Sequence, residues 1–250
     1  VRWNGYFISL LLFAGCTHST IKPIPIVGIL KPGASIIEEA QAWSGSLRSL
    51  RLLGRLAIDT DDGHFTSRLA VVYRAPEMLR VEVLPLNSTV SLGLLLSNGE
   101  SATYVDFQGQ RAIRGSLKSL LGYSLLAVSA NEPELLSLLS GRIFKGALTG
   151  SGVRVYHNPV AGTYQLVSGR STWVVNERTK FLHSAQLLSE EGGDVQLDVR
   201  YVEDATGKKA LMSIAGRDER LEFSLDREKL DTEVPQSLFS INIPESFTVY

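Results

Sequence analysis

Leu53-Gly54-Arg55-Leu56-Ala57-Ile58-Asp59-Thr60-Asp61-Asp62-Gly63-His64-Phe65-Thr66-Ser67-Arg68-Leu69-Ala70-Val71-Val72-Tyr73 is the stretch that decides the fold class. Gly54 to Asp59 alternates, Asp61-Asp62-Gly63 supplies a hairpin turn, and Phe65 to Tyr73 returns with Leu69, Val71 and Tyr73 on one face. Successive side chains of a strand point to opposite faces, so a period of two buries one face and wets the other. Pro76 breaks the run, after which Leu79, Val81 and Val83 alternate with Arg80, Glu82 and Leu84. Val90, Leu92, Leu94 and Leu96 repeat the pattern before the turn signal Asn98-Gly99, and Ala102 to Phe107 predicts a further strand.

Downstream, strand signals recur at Val153–His157, Tyr164–Val167, Thr172–Asn176, Leu182–Ser189, Val195–Val202, Leu211–Ala215 and Leu221–Leu225. Three helices interrupt them. One opens at Ser35 with Glu38 at capping-box spacing and carries Ile36, Ile37, Ala40, Trp43, Leu47 and Leu50 at helical intervals. A second covers Ser116 to Gly122, and a third Glu132 to Ser140, with Pro133 in its first turn and Gly141 just past its end. Many strands with local turns, few helices, no fixed repeat and no internal linker predict a mainly β protein. Its domain, residues 36–250, is a single curved antiparallel sheet forming an incomplete barrel with a few capping helices.

Composition sets outer limits. A chain of 250 residues with 44% hydrophobic content can fill a real core. With 25 Lys+Arg against 26 Asp+Glu there is no global field to hold nucleic acid. One cysteine excludes an internal disulfide and every multi-cysteine metal site.

That cysteine ends an apolar run. Tyr6 to Gly15 is uncharged, follows Arg2, and is too short for the roughly 20 residues a membrane-spanning helix needs. Residues 1–15 therefore read as a signal peptide. Phe13-Ala14-Gly15-Cys16 resembles the lipobox of bacterial lipoproteins, which implies cleavage before Cys16 and acylation of its thiol. Thr17 follows, rather than the Asp that favours inner-membrane retention, so the resemblance implies the outer membrane, with the chain facing the periplasm. Residues 16–35, with Pro23, Pro25 and Pro32, read as a lipidated, extended tether.

Catalytic and metal motifs are not evident. His18, His64, His157 and His183 are scattered, and no nucleophile elbow, P-loop or dinucleotide fingerprint occurs. Gly150-Ser151-Gly152 precedes a strand rather than a helix, Asp59, Asp61 and Asp62 lack the further ligands of a calcium loop, and Glu190-Glu191-Gly192-Gly193 fits a hairpin tip. The expectation is a binding protein without a cofactor, not an enzyme.

Leu53-Gly54-Arg55-Leu56-Ala57-Ile58, Val72-Tyr73, Leu79-Arg80-Val81-Glu82-Val83, Pro85-Leu86, and Leu120-Leu121-Gly122-Tyr123 followed by a Leu135-Leu136 helix occur in an order that resembles LolB, the outer-membrane lipoprotein receptor family. More broadly the order resembles the lipoprotein-carrier fold LolB shares with LolA. The resemblance implies an apolar cavity that holds acyl chains of lipoproteins received from a LolA-like periplasmic carrier, and a protruding loop whose Leu enters the membrane, here Leu86. Alternation assigns Leu56, Ile58, Leu69, Val71, Leu79, Val81, Val83, Leu92 and Leu94 to the cavity lining. A carrier of another lipid or glycolipid, and a structural envelope lipoprotein with a filled core, are the alternatives. The C-terminal extension, including Val234-Pro235 and Phe239 to Pro244, departs from the LolB pattern and is expected to edge the sheet or plug the cavity.

Overall fold

The computed structural model describes residues 21–31, 34–60, 63–87, 90–123, 130–148, 152–189, 194–204, 207–214 and 220–250. Signal segment 1–15, Cys16, His18, Asp61-Asp62, Gly150-Ser151 and Glu190 to Gly193 lie outside them.

The alternating segments form one fifteen-stranded sheet. Its strands are β1 (Ile29–Lys31), β2 (Ser49–Thr60), β3 (Gly63–Arg74), β4 (Met78–Pro85), β5 (Gly93–Ser97), β6 (Ala102–Asp106), β7 (Arg111–Gly115), β8 (Arg154–Asn158), β9 (Thr163–Ser168), β10 (Ser171–Asn176), β11 (Leu182–Leu188), β12 (Val195–Asp204), β13 (Gly207–Ile214), β14 (Arg220–Leu230) and β15 (Thr248–Val249). Spatial order runs β1, β8 through β14, then β2 through β7, and finally β15. The sheet is not closed into a barrel: β1 and β15 are its edges. Among the described residues every pairing is antiparallel except β15 on β7.

The join between the two halves, β14 on β2, explains Gly54. A Cβ there would lie 2.5 Å from the Phe223 ring, so only a glycine lets the strands approach. Among the described residues three α-helices accompany the sheet, α1 (Ala34–Ser46), α2 (Leu117–Tyr123) and α3 (Glu132–Ser140), with one 3-10 turn at Gln236–Phe239. The bounds of α3 are those its local signals predict. Asn131 accepts from the Glu134 N–H at 2.8 Å, the Glu134 carboxylate accepts from the Asn131 N–H at 2.8 Å, and Gly141 closes the helix in the left-handed conformation.

Several boundaries differ from expectation. The α1 stripe stops at Ser46, and Leu50 belongs to β2. Asp231 Oδ1 accepts from the Arg48 N–H at 2.7 Å and Asp231 N–H donates to the Ser49 carbonyl at 3.0 Å, drawing the backbone into the sheet. Arg111–Gly115, without apolar alternation, becomes a strand because β6 and β15 flank it. Part of the segment read as tether is also incorporated. Residues 29–31 pair with β8, and the preceding residues cross β9 to β11 as a strap. There Gln165 accepts from the Val27 N–H at 3.1 Å, and Gln186 accepts from Ile24 at 2.6 Å and donates to the Lys22 carbonyl at 3.0 Å.

The main core unites the inner face of the sheet with α2 and α3, through Leu50, Leu56, Leu69, Val71, Leu79, Leu120, Leu135, Leu139, Trp173, Leu197 and Phe223. Fully burying each such side chain contributes about 1.5–3 kcal/mol. A second cluster lies on the outer face, where Leu94, Leu96, Val105 and Ala112 are covered by Ile241, Ile243, Phe247 and Phe107. The C-terminal extension therefore edges and covers the sheet from outside. It does not contribute to the inner core around the expected cavity. Arg80, facing the same way, is held by Glu82 at 2.7 Å and by the Leu238 carbonyl at 3.0 Å.

Strand directions define two rims. The β2–β3, β4–β5, β9–β10, β11–β12 and β13–β14 connections share the upper rim, and the β3–β4, β8–β9, β10–β11 and β12–β13 connections share the lower one. No helix of the described residues is long and apolar enough to cross a membrane.

Candidate lipid-binding face

Eight of the nine residues assigned to a cavity lie together. Leu56, Leu69, Val71, Leu79 and Val83 are buried in the main core, with Ile58, Val81 and Leu92 half-buried against it. Leu94 is the correction. In the β4–β5 register Val83 faces Gly93 and Val81 faces Leu95, so Leu95 carries the inward side chain and Leu94 packs under the C-terminal extension. Leu94-Leu95-Leu96 is apolar on both faces, and the connection that starts β5 settles which faces in.

Little room remains where the cavity was expected. Leu121 of α2 and Leu135 and Leu139 of α3 fill the space over Leu56, Leu69, Val81, Leu95 and Tyr104, leaving about 20 Å³ beside the β5 backbone. That volume holds about one water molecule. The helices seal this half of the concave face with their own leucines.

A larger groove of about 520 Å³ lies on the other side of α3, toward the lower rim. Its apolar wall is Leu139, Phe181, Leu182, Tyr201, Val202, Ala210, Phe223 and Leu225, and its polar wall includes Asn176, Thr179, His183, Glu203 and Lys209. This is the size and mixture of a small-molecule or lipid site. Leu139 stands in both walls and separates the groove from the sealed half. Sequence reading placed these strands but assigned them no site. Val199 and Tyr201, and Leu221, Phe223 and Leu225, carry the same alternation as the first half.

Polar contacts fix α3 as the partition. Glu134, 2% exposed, pairs with Arg170 at 2.8 Å. Tyr201 donates to the Leu138 carbonyl at 2.7 Å, and Leu182 N–H donates to the Gly141 carbonyl at 2.8 Å. Burial pushes the Tyr201 phenol far up from its ordinary value, so it stays a neutral donor. At the other end, Glu132 is pushed up to about 7, first by burial and then by the Glu77 carboxylate. On the groove wall the Arg142 guanidinium lies 4.1 Å from the Phe181 ring centre, and Lys209 pairs with Glu222 at 3.2 Å.

Leu86 follows β4 at the upper rim and is 44% exposed. Of the histidines, His64 pairs with Asp59 at 2.5 Å and His157 with Glu177 at 3.2 Å, while His183 borders the groove. Among the described residues no three His, Cys, Asp or Glu side chains gather as a metal site.

A curved sheet with helices against its concave face is also the arrangement of several solved structures. A LolA superfamily protein from Nitrosomonas europaea superposes with a TM-score of 0.54 and 17% identity, over 86% of this chain and 99% of that one. A putative outer membrane lipoprotein-sorting protein domain from Vibrio parahaemolyticus gives 0.54 and 10%, over 82% and 94%. A DUF1329 family protein from Desulfovibrio piger gives 0.54 and 9%, over 83% and 95%. No family model and no curated protein matches the sequence. The chain thus has the LolA/LolB-type fold.

Proposed function

We propose that this chain is an outer-membrane lipoprotein, anchored through Cys16, that binds acyl chains of lipoproteins on its concave face and promotes their insertion into the membrane. The observation that carries the reading is the 520 Å³ groove with one apolar wall beside α3, in a sheet left open at both edges. Each buried methylene contributes about 0.8 kcal/mol, so the apolar wall of the groove suits an acyl chain. In this reading Leu139 of α3 is the side chain that separates the groove from the face lined by Leu56, Leu69 and Val81. Leu86 at the upper rim then meets the bilayer at delivery.

The sealed 20 Å³ interior favours a second reading, a structural envelope lipoprotein whose core is filled. Mass spectrometry of material copurifying with the chain separates them. Acylated protein supports the receptor, another lipid supports a carrier of that lipid, and an empty protein that also fails to bind an apolar probe supports the structural role.

A further inference from the structure

Three exposed apolar side chains gather at the upper rim: Phe65 at 58%, Leu86 at 44% and Val90 at 68% exposure. Ser67 pairs with Pro85 across β3 and β4, so Phe65 stands two residues further out, beside the turn that holds Leu86. Phe65 also shares the inward face of Ser67, Leu69 and Val71, and thus extends the concave apolar surface to its lip.

The strap shows on which part of the sheet the described chain begins. Val27 is held by Gln165, which is level with Ser184 across β10. Lys22 is held by Gln186, two residues nearer the upper rim on β11. From Val27 to Lys22 the chain thus crosses from β9 to β11 and rises by two residues toward the rim of Phe65, Leu86 and Val90. Gln186 itself is fixed, 4% exposed and donating to Asp198 at 2.7 Å. Only residues 17–21 separate Lys22 from Cys16, a full extension of about 20 Å. An acyl chain on Cys16 would keep Lys22 within that distance of the bilayer.

We propose that the upper rim rests on the lipid bilayer, with Phe65 and Val90 contacting lipid beside Leu86. This rests on the reading of Cys16 as the anchor. The bilayer is the occupant because the described chain begins on the side of Gln165 nearer this rim, within a short tether's reach of Cys16, and because exposed apolar side chains clustered at one edge gain by leaving water.

Once the thiol of Cys16 is acylated, a single introduced cysteine can be labelled. Full-length protein carrying Phe65→Cys, Val90→Cys, Leu86→Cys or Val160→Cys would be labelled with a nitrobenzoxadiazole dye. It would then be reconstituted into phosphatidylethanolamine–phosphatidylglycerol vesicles containing spin-labelled lipid. Val160, 97% exposed in the β8–β9 connection of the lower rim, is the reference. Lipid quenching at positions 65 and 90 but not 160 is the expected result. Acylated protein quenched at 86 but not at 65 or 90 overturns this inference and leaves the Leu86 reading intact. Equal quenching at all positions overturns the orientation, and absence of acyl mass on Cys16 overturns the anchor with it.

Discussion

Glu134 and Arg170 meet at 2.8 Å across the boundary between α3 and the β9–β10 turn, with the carboxylate only 2% exposed. Glu134 also completes the capping box of α3, so one buried charge serves both helix start and helix docking. Arg170→Met removes its partner and should lower stability by about 2–3 kcal/mol. Adding Glu134→Gln should recover part of that loss in a double-mutant cycle read by chemical denaturation. Strict additivity would show that the pair does not hold α3.

Glu132 gives stability a pH dependence of defined sign. Its folded pKa, about 7 against an ordinary 4.5, means the folded chain binds more protons between those values. Stability should fall as pH rises from about 4.5 to about 8, by on the order of 3 kcal/mol, and level off above. Glu132→Gln should flatten that slope in thermal melts from pH 5 to pH 8.

The groove should bind an apolar fluorescent probe displaceable by acylated peptide. Val202→Glu places a charge on a wall residue that is 43% exposed, so the fold should survive. Probe affinity should fall about tenfold, roughly 1.4 kcal/mol. Unchanged binding would locate the ligand elsewhere.

Cys16→Ala should abolish membrane association and leave a soluble or uncleaved chain without acyl mass on its N-terminal peptide. Fractionation identical to the parent would rule out this anchor.

Leu86→Glu should leave stability within about 0.5 kcal/mol, as for other surface positions, while placing a charge where the loop would enter lipid. Transfer of lipoprotein into liposomes should drop and cargo binding persist. A large loss of stability would instead assign Leu86 to the core.

The amino-acid sequence by itself determined most of the strands, the hairpin through Gly63 and the span of α3, because alternation and caps are local properties of the chain. Pro133, Gly141 and the inward set from Leu56 to Val83 could be read residue by residue. Tertiary structure alone decided the rest. Leu94-Leu95-Leu96 is apolar on both faces, so only the register of β5 on β4 turns Leu95 inward and leaves Leu94 to the C-terminal extension. Arg111–Gly115 carries no pattern and is a strand because its neighbours complete its hydrogen bonds. Gln165 and Gln186 hold a distant strap, a pairing between residues more than a hundred positions apart that no local window contains. Likewise, periodicity says which side chains face inward and not how much space they leave. That depends on how deeply α2 and α3 sink their leucines, and it fills one half of the concave face and opens a groove in the other.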